Sequence, residues 1–249
     1  IWDSIIYRDL YANKIAPPPN VEKFKGPYPG GYVKDPHVGS HDWVVSFDLN
    51  SLYPNLIVQY NMSPETLLKS DQGDVCIAAN GAAFTKKFQG MLPRIIINYS
   101  NERKAIKKDM LAAMQANQNN PSSDTEREIN RLENRQMAIK ILLNSLYGAL
   151  GNKYFRYFDQ SVAEAITTSG QLAILTAETA MNLEMNKILK SDKDYVIAID
   201  TDSLYVNFGP LVDKLKPKDI VKTLDTVCNE HFTKALNKAY DELATKTNA

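Results

Sequence analysis

The chain has 249 residues, 44% of them hydrophobic by type, with 29 basic and 29 acidic side chains and a formal net charge of zero. That length suits one large domain or two small ones, and the neutral balance requires any nucleic-acid footprint to be local. Two cysteines, Cys76 and Cys228, are too few for a disulfide framework or a zinc site, so a reducing, intracellular setting is the default; no run of about 18 apolar residues and no charged-then-apolar signal segment is present.

The chain begins at Ile1 without an initiator Met and ends in a polar stretch, Thr245 to Ala249, so both ends look cut from a longer protein. Residues 1–15 have helical spacing at Trp2, Ile5, Ile6 and Leu10. Residues 16–42, rich in Pro and Gly, read as a connector. Trp43 to Leu49 reads as a buried strand, and Asn50-Ser51-Leu52-Tyr53-Pro54 as a turn opening a helix, with Pro tolerated in its first turn. Short strand signals and glycines mix over 70–92. Helices are expected over 94–117 and 124–147, joined by a polar tip in which Asp124 is the candidate cap, making an antiparallel helical hairpin. A further helix fits 160–190, two strands (195–199 and 204–208) flank an acidic turn, and a last helix fits 217–243. The order predicts an α+β sheet domain with a helical insertion.

Asp48 ends one apolar strand, and Asp200-Thr201-Asp202-Ser203 joins two others. Carboxylates at the ends of buried strands are costly unless paired or bound to a cation. An EF-hand starting at Asp200 fails, because its sixth and twelfth places hold Tyr205 and Leu211 instead of Gly and Glu. Acids on two separate strand ends favour a shared site for magnesium or manganese, whose hard character suits oxygen ligands. Two such ions about 3.5–4 Å apart would activate an attacking hydroxyl and stabilise a leaving phosphate. Lys140, Asn144 and Tyr147 fall on one helix face. Arg103 and Lys107, spaced i, i+4, lie in a run from Lys86 to Lys108 that holds seven basic residues and one acid, Glu102. Cations facing acids suit a polyphosphate with its metals; for Lys104 and Lys108 a solvated helix face is the simpler reading.

These stretches together resemble the family B DNA polymerases, most closely the branch of the T4-like bacteriophages. Ser46-Phe47-Asp48-Leu49-Asn50-Ser51-Leu52-Tyr53-Pro54 is similar to the first polymerase motif, Lys140-Ile141-Leu142-Leu143-Asn144-Ser145-Leu146-Tyr147-Gly148 to the second, and Asp200-Thr201-Asp202-Ser203 to the third. Asn101-Glu102-Arg103-Lys104 with Lys107 resembles the fingers motif, and Tyr28-Pro29-Gly30-Gly31 the element linking exonuclease and polymerase modules. Ser63-Pro64-Glu65-Thr66 and Gly148-Ala149-Leu150-Gly151-Asn152, followed by Phe155-Arg156-Tyr157, point to the T4-like branch. The resemblance implies a palm, an antiparallel sheet backed by helices, with an inserted helical-hairpin fingers subdomain: 1–42 junction, 43–92 first part of the palm, 93–152 fingers, 153–249 second part of the palm.

It also implies roles. Asp48 and Asp202 would be the principal ligands of two magnesium ions, with manganese able to substitute, helped by the Leu49 carbonyl and by Asp200 as an accessory. Backbone N–H groups of Ser51, Leu52 and Tyr53 would cradle the β- and γ-phosphates, and Tyr53 would exclude a ribose 2′-hydroxyl. Arg103, Lys107 and Lys140 would hold the triphosphate, Lys140 also protonating the departing pyrophosphate, with Asn144 near the incoming sugar. Tyr28, Gly30, Gly31, Tyr147, Gly148 and Thr201 would face DNA. The partners implied are primer-template DNA and deoxynucleoside triphosphates, with a sliding clamp and a single-strand binding protein expected from the family only, no membrane, and the cytoplasm of a bacterial host as the location.

The sequence departs from the family where Ala198-Ile199 replaces Tyr-Gly before the acidic turn, in a short hairpin between Arg103 and Lys140, and in lacking exonuclease motifs and a thumb. The expected activity is template-directed DNA synthesis. The alternative is a non-catalytic DNA-binding fragment of such an enzyme. A protein-primed enzyme should carry insertions around the first two motifs, and a primase or RNA polymerase is disfavoured by the bulk of Tyr53.

Overall fold

Trp2, Ile6 and Leu10 lie on one stripe of α1 (Trp2–Ala12) and are buried there, as their helical spacing requires. The computed structural model describes residues 1–19, 23–69 and 73–249. Residues 20–22 of the expected connector and 70–72 of the mixed segment lie outside the described residues.

The connector contributes one short strand, β1 (Val33–Lys34), and leads to β2 (Val44–Asp48), then α2 (Leu52–Gln59). Three short strands follow, β3 (Leu67–Leu68), β4 (Val75–Ile77) and β5 (Ala83–Thr85), in an antiparallel sheet of order β3-β5-β4. The hairpin helices are α3 (Met91–Asn119) and α4 (Ser123–Leu150), crosslinked where Arg135 pairs with Glu102 at 2.6 Å. Ser122, not Asp124, caps α4: its extended backbone lets the hydroxyl accept from the Thr125 N–H at 3.4 Å, whereas Asp124 is already helical.

Helix α5 (Gln160–Leu189) is capped by Asp159, and β6 (Val196–Asp200) and β7 (Ser203–Asn207) form the hairpin around the acidic turn. Past it, α6 (Gly209–Leu215) is an element the sequence pattern did not suggest. The single expected last helix is divided into α7 (Ile220–Val227), one π-helical turn (Cys228–Phe232) and α8 (Thr233–Thr247).

The main sheet is antiparallel throughout, in the order β1-β6-β7-β2. This makes β2 an edge strand, not the buried strand that its apolar run suggested. Val45 and Phe47 turn to the core while Val44 and Ser46 face out, the alternation expected when one face of a sheet is covered. Two cores result. The first gathers α1, α2, the small sheet, α3, α4 and the start of α5; the second lies between the main sheet, the rest of α5 and the C-terminal helices. The architecture is α+β, antiparallel sheets with a long helical hairpin. No helix among the described residues is long and apolar enough to cross a membrane.

Candidate active site

The β2–β7 ladder places Asp48 opposite Ser203, whose hydroxyl donates to Asp48 Oδ2 at 3.1 Å. One residue on, the Leu49 N–H donates to the Asp202 carbonyl at 2.7 Å. The ladder therefore brings the two carboxylates to the same end of the sheet from strands more than 150 residues apart in sequence. Burial, then the Asp48 charge, push the Asp202 carboxyl above its usual range, with a smaller contribution from Asp200. Asp48 and Asp200 are exposed, so the acids sit on an open rim and not in the dry strand ends that the sequence implied.

The Thr201 hydroxyl donates to Asp200 Oδ1 at 3.2 Å. Thr201 has a left-handed backbone (φ 53°), and its N–H donates to the Tyr32 carbonyl at 2.8 Å. A β-carbon at Gly31 would lie 2.6 Å from Thr201 Oγ1, so the acidic turn seats against the connector only because that residue is glycine. Gly30 accepts a hydrogen bond through its carbonyl from Gln171 Nε2 at 2.7 Å. Ile199, in place of the usual Gly, has no positive φ and is buried in the second core at 1% exposure, away from the rim.

Just after Asp48 and Leu49, Ser51 adopts the left-handed region (φ 53°) and opens α2 without a side-chain cap. The N–H groups of Ser51, Leu52 and Tyr53 have no protein acceptor among the described residues, and Pro54 has no N–H. Uncapped donors at a helix start are suited to an anion. Tyr53 stands between two elements. Its ring centroid is 4.8 Å from that of Tyr147 on α4, and a β-carbon at Gly170 on α5 would lie 2.8 Å from its Cε1. Burial and then the Asp202 charge raise its phenol above the usual value. Burial also raises the Tyr147 phenol, and the neighbouring Tyr28 hydroxyl adds to that shift. Tyr28 packs against α4, where a β-carbon at Gly151 would meet its hydroxyl at 2.9 Å. Gly148 has open space where a β-carbon would be.

Along α4 from Tyr147, Asn144 and Lys140 are exposed. Arg103 Nε donates to Gln136 Oε1 at 3.2 Å, one turn before Lys140. In an antiparallel pair this registers Lys140, Arg103 and Lys107 as a ladder with steps of about 6 Å. Lys107 and Lys140 have no ion-pair partner among the described residues. Not all of the basic run belongs to this ladder: Arg94 is bidentate to Asp9 on α1, and Lys86 binds Asn248.

Among the described residues, no group of three His, Cys, Asp or Glu side chains is close enough to hold a metal. The pair Asp48 and Asp202 nonetheless fits hard dications: burial and then the Asp48 charge hold the Asp202 carboxyl above its usual range, a cost that a divalent ion between the two would relieve. Sequence reasoning missed Ser169, Gly170 and Gln171. The available signal was a glycine in the middle of a long helix, a position that costs stability without a packing reason.

The model of the family described as "DNA polymerase family B" matches residues 4–243. The DNA-directed DNA polymerase of Escherichia phage RB69 is 31% identical over 97% of the chain and 34% of its own length. That of Enterobacteria phage T4 is 29% identical over the same shares. DNA polymerase 1 of Pyrococcus abyssi is 35% identical over 77% of the chain and 23% of its own length. The chain thus spans about a third of the length of the phage relatives. The RB69 alignment runs over 307 positions, so that relative carries segments this 249-residue chain lacks.

Proposed function

Because the chain belongs to the family B DNA polymerases, we propose that it carries the nucleotidyl-transfer site of a replicative DNA polymerase, with the main sheet as palm and α3–α4 as fingers. The observation that carries this reading is Asp48 at the end of β2, opposite Ser203, with the Leu49 N–H bonded to the Asp202 carbonyl and a helix start with free N–H donors directly following. Asp48, Asp202 and the Leu49 carbonyl would hold two magnesium ions, with Asp200 as accessory. When bound, these supply Lewis-acid polarisation of the attacking hydroxyl and of the α-phosphate.

The chain's own groups do the rest. The N–H groups of Ser51, Leu52 and Tyr53 receive the β- and γ-phosphates. Arg103, Lys107 and Lys140 neutralise the triphosphate, and Asn144 meets the sugar side. Tyr53 closes the space that a ribose 2′-hydroxyl would need. In the step itself, the primer 3′-oxygen forms a bond to the α-phosphorus and the bond to the bridging oxygen breaks. The hydroxyl proton goes to solvent, and Lys140 donates a proton to the departing pyrophosphate. Thr201, Gly31 and Gly30 position the acidic turn, and Tyr28, Tyr147 and Gly148 border the DNA.

The test is Asp48→Ala and Asp202→Ala in the full-length polymerase that carries this chain. Primer extension with magnesium should fall about 1,000-fold or more, about 4 kcal/mol of transition-state stabilisation, while circular dichroism stays unchanged. Near-normal extension by either variant would reject the assignment. Primer extension by the 249-residue chain alone distinguishes synthesis from DNA binding without catalysis.

A further inference from the structure

Gly170 lies in the interior of a thirty-residue helix, where glycine gives up more conformational entropy than any other residue. Its packing supplies the reason. It is buried, and a β-carbon there would lie 2.8 Å from Tyr53 Cε1, 3.5 Å from Cδ1 and 3.6 Å from Leu52 Cδ2. The helix is held at both neighbouring residues. The Ala79 N–H donates to Ser169 Oγ at 3.2 Å, and Gln171 Nε2 donates to the Gly30 carbonyl at 2.7 Å. With the backbone anchored to the β4–β5 turn on one side and to the connector on the other, an added methyl group displaces the ring, not the helix. Restoring ordinary carbon–carbon contact requires the ring to retreat by about 0.7 Å. Tyr147, whose ring centroid is 4.8 Å from that of Tyr53, limits the directions in which the ring can retreat.

We infer that Gly170 is a positioning residue that sets the depth of the Tyr53 ring and through it the selection of the nucleotide sugar. This rests on the reading of Tyr53 as the sugar gate; Gly170 itself touches no substrate. The same three residues connect the gate to the acidic turn, since Gln171 holds Gly30 and the adjacent Gly31 seats Thr201. An alanine at 170 pushes the ring into the space where the sugar would stand, narrowing the gate against deoxynucleotides as well.

The experiment compares wild type, Gly170→Ala, Tyr53→Ala and the double variant in the full-length polymerase that carries this chain, with two readouts. The first is the melting temperature. Alanine in place of glycine ordinarily stabilises a helix, yet Gly170→Ala should lower Tm when Tyr53 is present and raise it when Tyr53 is Ala. The second is steady-state kinetics with deoxynucleotides. Gly170→Ala should raise KM about tenfold with little change in kcat, in keeping with a sub-ångström misplacement, and should have no such effect in the Tyr53→Ala background. Equal Tm changes in both backgrounds would overturn the contact. Coupled Tm changes with an unaltered KM would overturn the sugar role while leaving the contact intact. Failure of the wild type to incorporate any nucleotide would instead sink the polymerase reading, and the sugar role with it.

Discussion

Replacing Asp202 with Asn tests the electrostatic state of the acidic pair directly. The Asp202 carboxyl is held above its usual range by burial and by Asp48. A carboxylate whose pKa is raised on folding costs stability at pH values above that pKa, and the cost fades as pH falls through it. Asp202→Asn should therefore stabilise the metal-free chain at neutral pH and lose that advantage in acid. Both carboxylates are open to solvent to a considerable degree, so the relief is small, about 0.5–1 kcal/mol. For a chain of this size that is about 1–4 °C in Tm.

Magnesium should invert the order. At one hundred times its dissociation constant a ligand specific to the folded state adds about 2.7 kcal/mol, about 5–11 °C, and the variant lacks one of the two charges that would hold it. Melting curves in chelator and in saturating magnesium, at neutral and acidic pH, measure both terms. A wild type more stable than Asp202→Asn in chelator, or an equal magnesium shift in both proteins, would refute the reasoning.

Two further perturbations address the scaffold. Lys34 binds Glu178 and Asp194, each at 2.5 Å, and so fastens β1 to α5 and to the approach to β6. Burial opposes the Lys34 charge, but the two carboxylates outweigh it and raise its pKa; burial likewise opposes the Asp194 charge, and the bonds from Lys34 and Asn182 hold its carboxyl below the usual range. Lys34→Met should cost about 2 kcal/mol and about 4–8 °C in Tm. The Asp194 contribution exists above the normal carboxylate range and is lost as pH falls through its lowered pKa, so the variant's deficit should shrink in acid; a pH-independent deficit would contradict the ion-pair account. At the hairpin tip, Ser122→Ala should cost about 0.5–1 kcal/mol and speed amide exchange over residues 123–127, while Asp124→Ala should leave it unchanged.

The sequence made the helices visible where the apolar period was long, as in α3, α4 and α5, and it made the acidic hairpin visible because two β-rich runs bracket Asp200 to Ser203. Asp48 and Asp202 stood out as carboxylates at the ends of apolar strands, whereas the role proposed for Tyr53 came only with the motif resemblance. The rest depends on tertiary approach, which leaves little local trace. The strand around Phe47 looked buried because apolar residues run continuously there, yet the ladder leaves it at an edge. The 217–243 helix looked single because a π-helical turn preserves helical hydrogen bonding while shifting the apolar phase by one residue. The seating of Tyr53 against Gly170, and of Thr201 against Gly31, involves pairs more than 100 residues apart, and only the mid-helix glycine hinted at the first.

The acids and the cations are built on different cores, which separates the consequences of loosening each. Phe232 is fully buried and packs edge-on against Phe208 at 4.9 Å; Phe208 lies 6.4 Å from Phe47, the residue before Asp48. An unbroken aromatic row thus backs the strand end that carries the acid. Phe232→Leu should cost about 1–2 kcal/mol and also reduce the stabilisation gained from magnesium, because Asp48 loses its backing. Ile96→Val, in the first core, should cost about 1 kcal/mol with the full magnesium gain retained, since Ile96 lies on α3 in a core that contains no acid of the pair. Melting curves of both variants with and without magnesium compare two destabilised chains at similar deficits. Equal magnesium gains would mean that the pair is positioned by the β2–β7 ladder alone and that the aromatic row serves stability only.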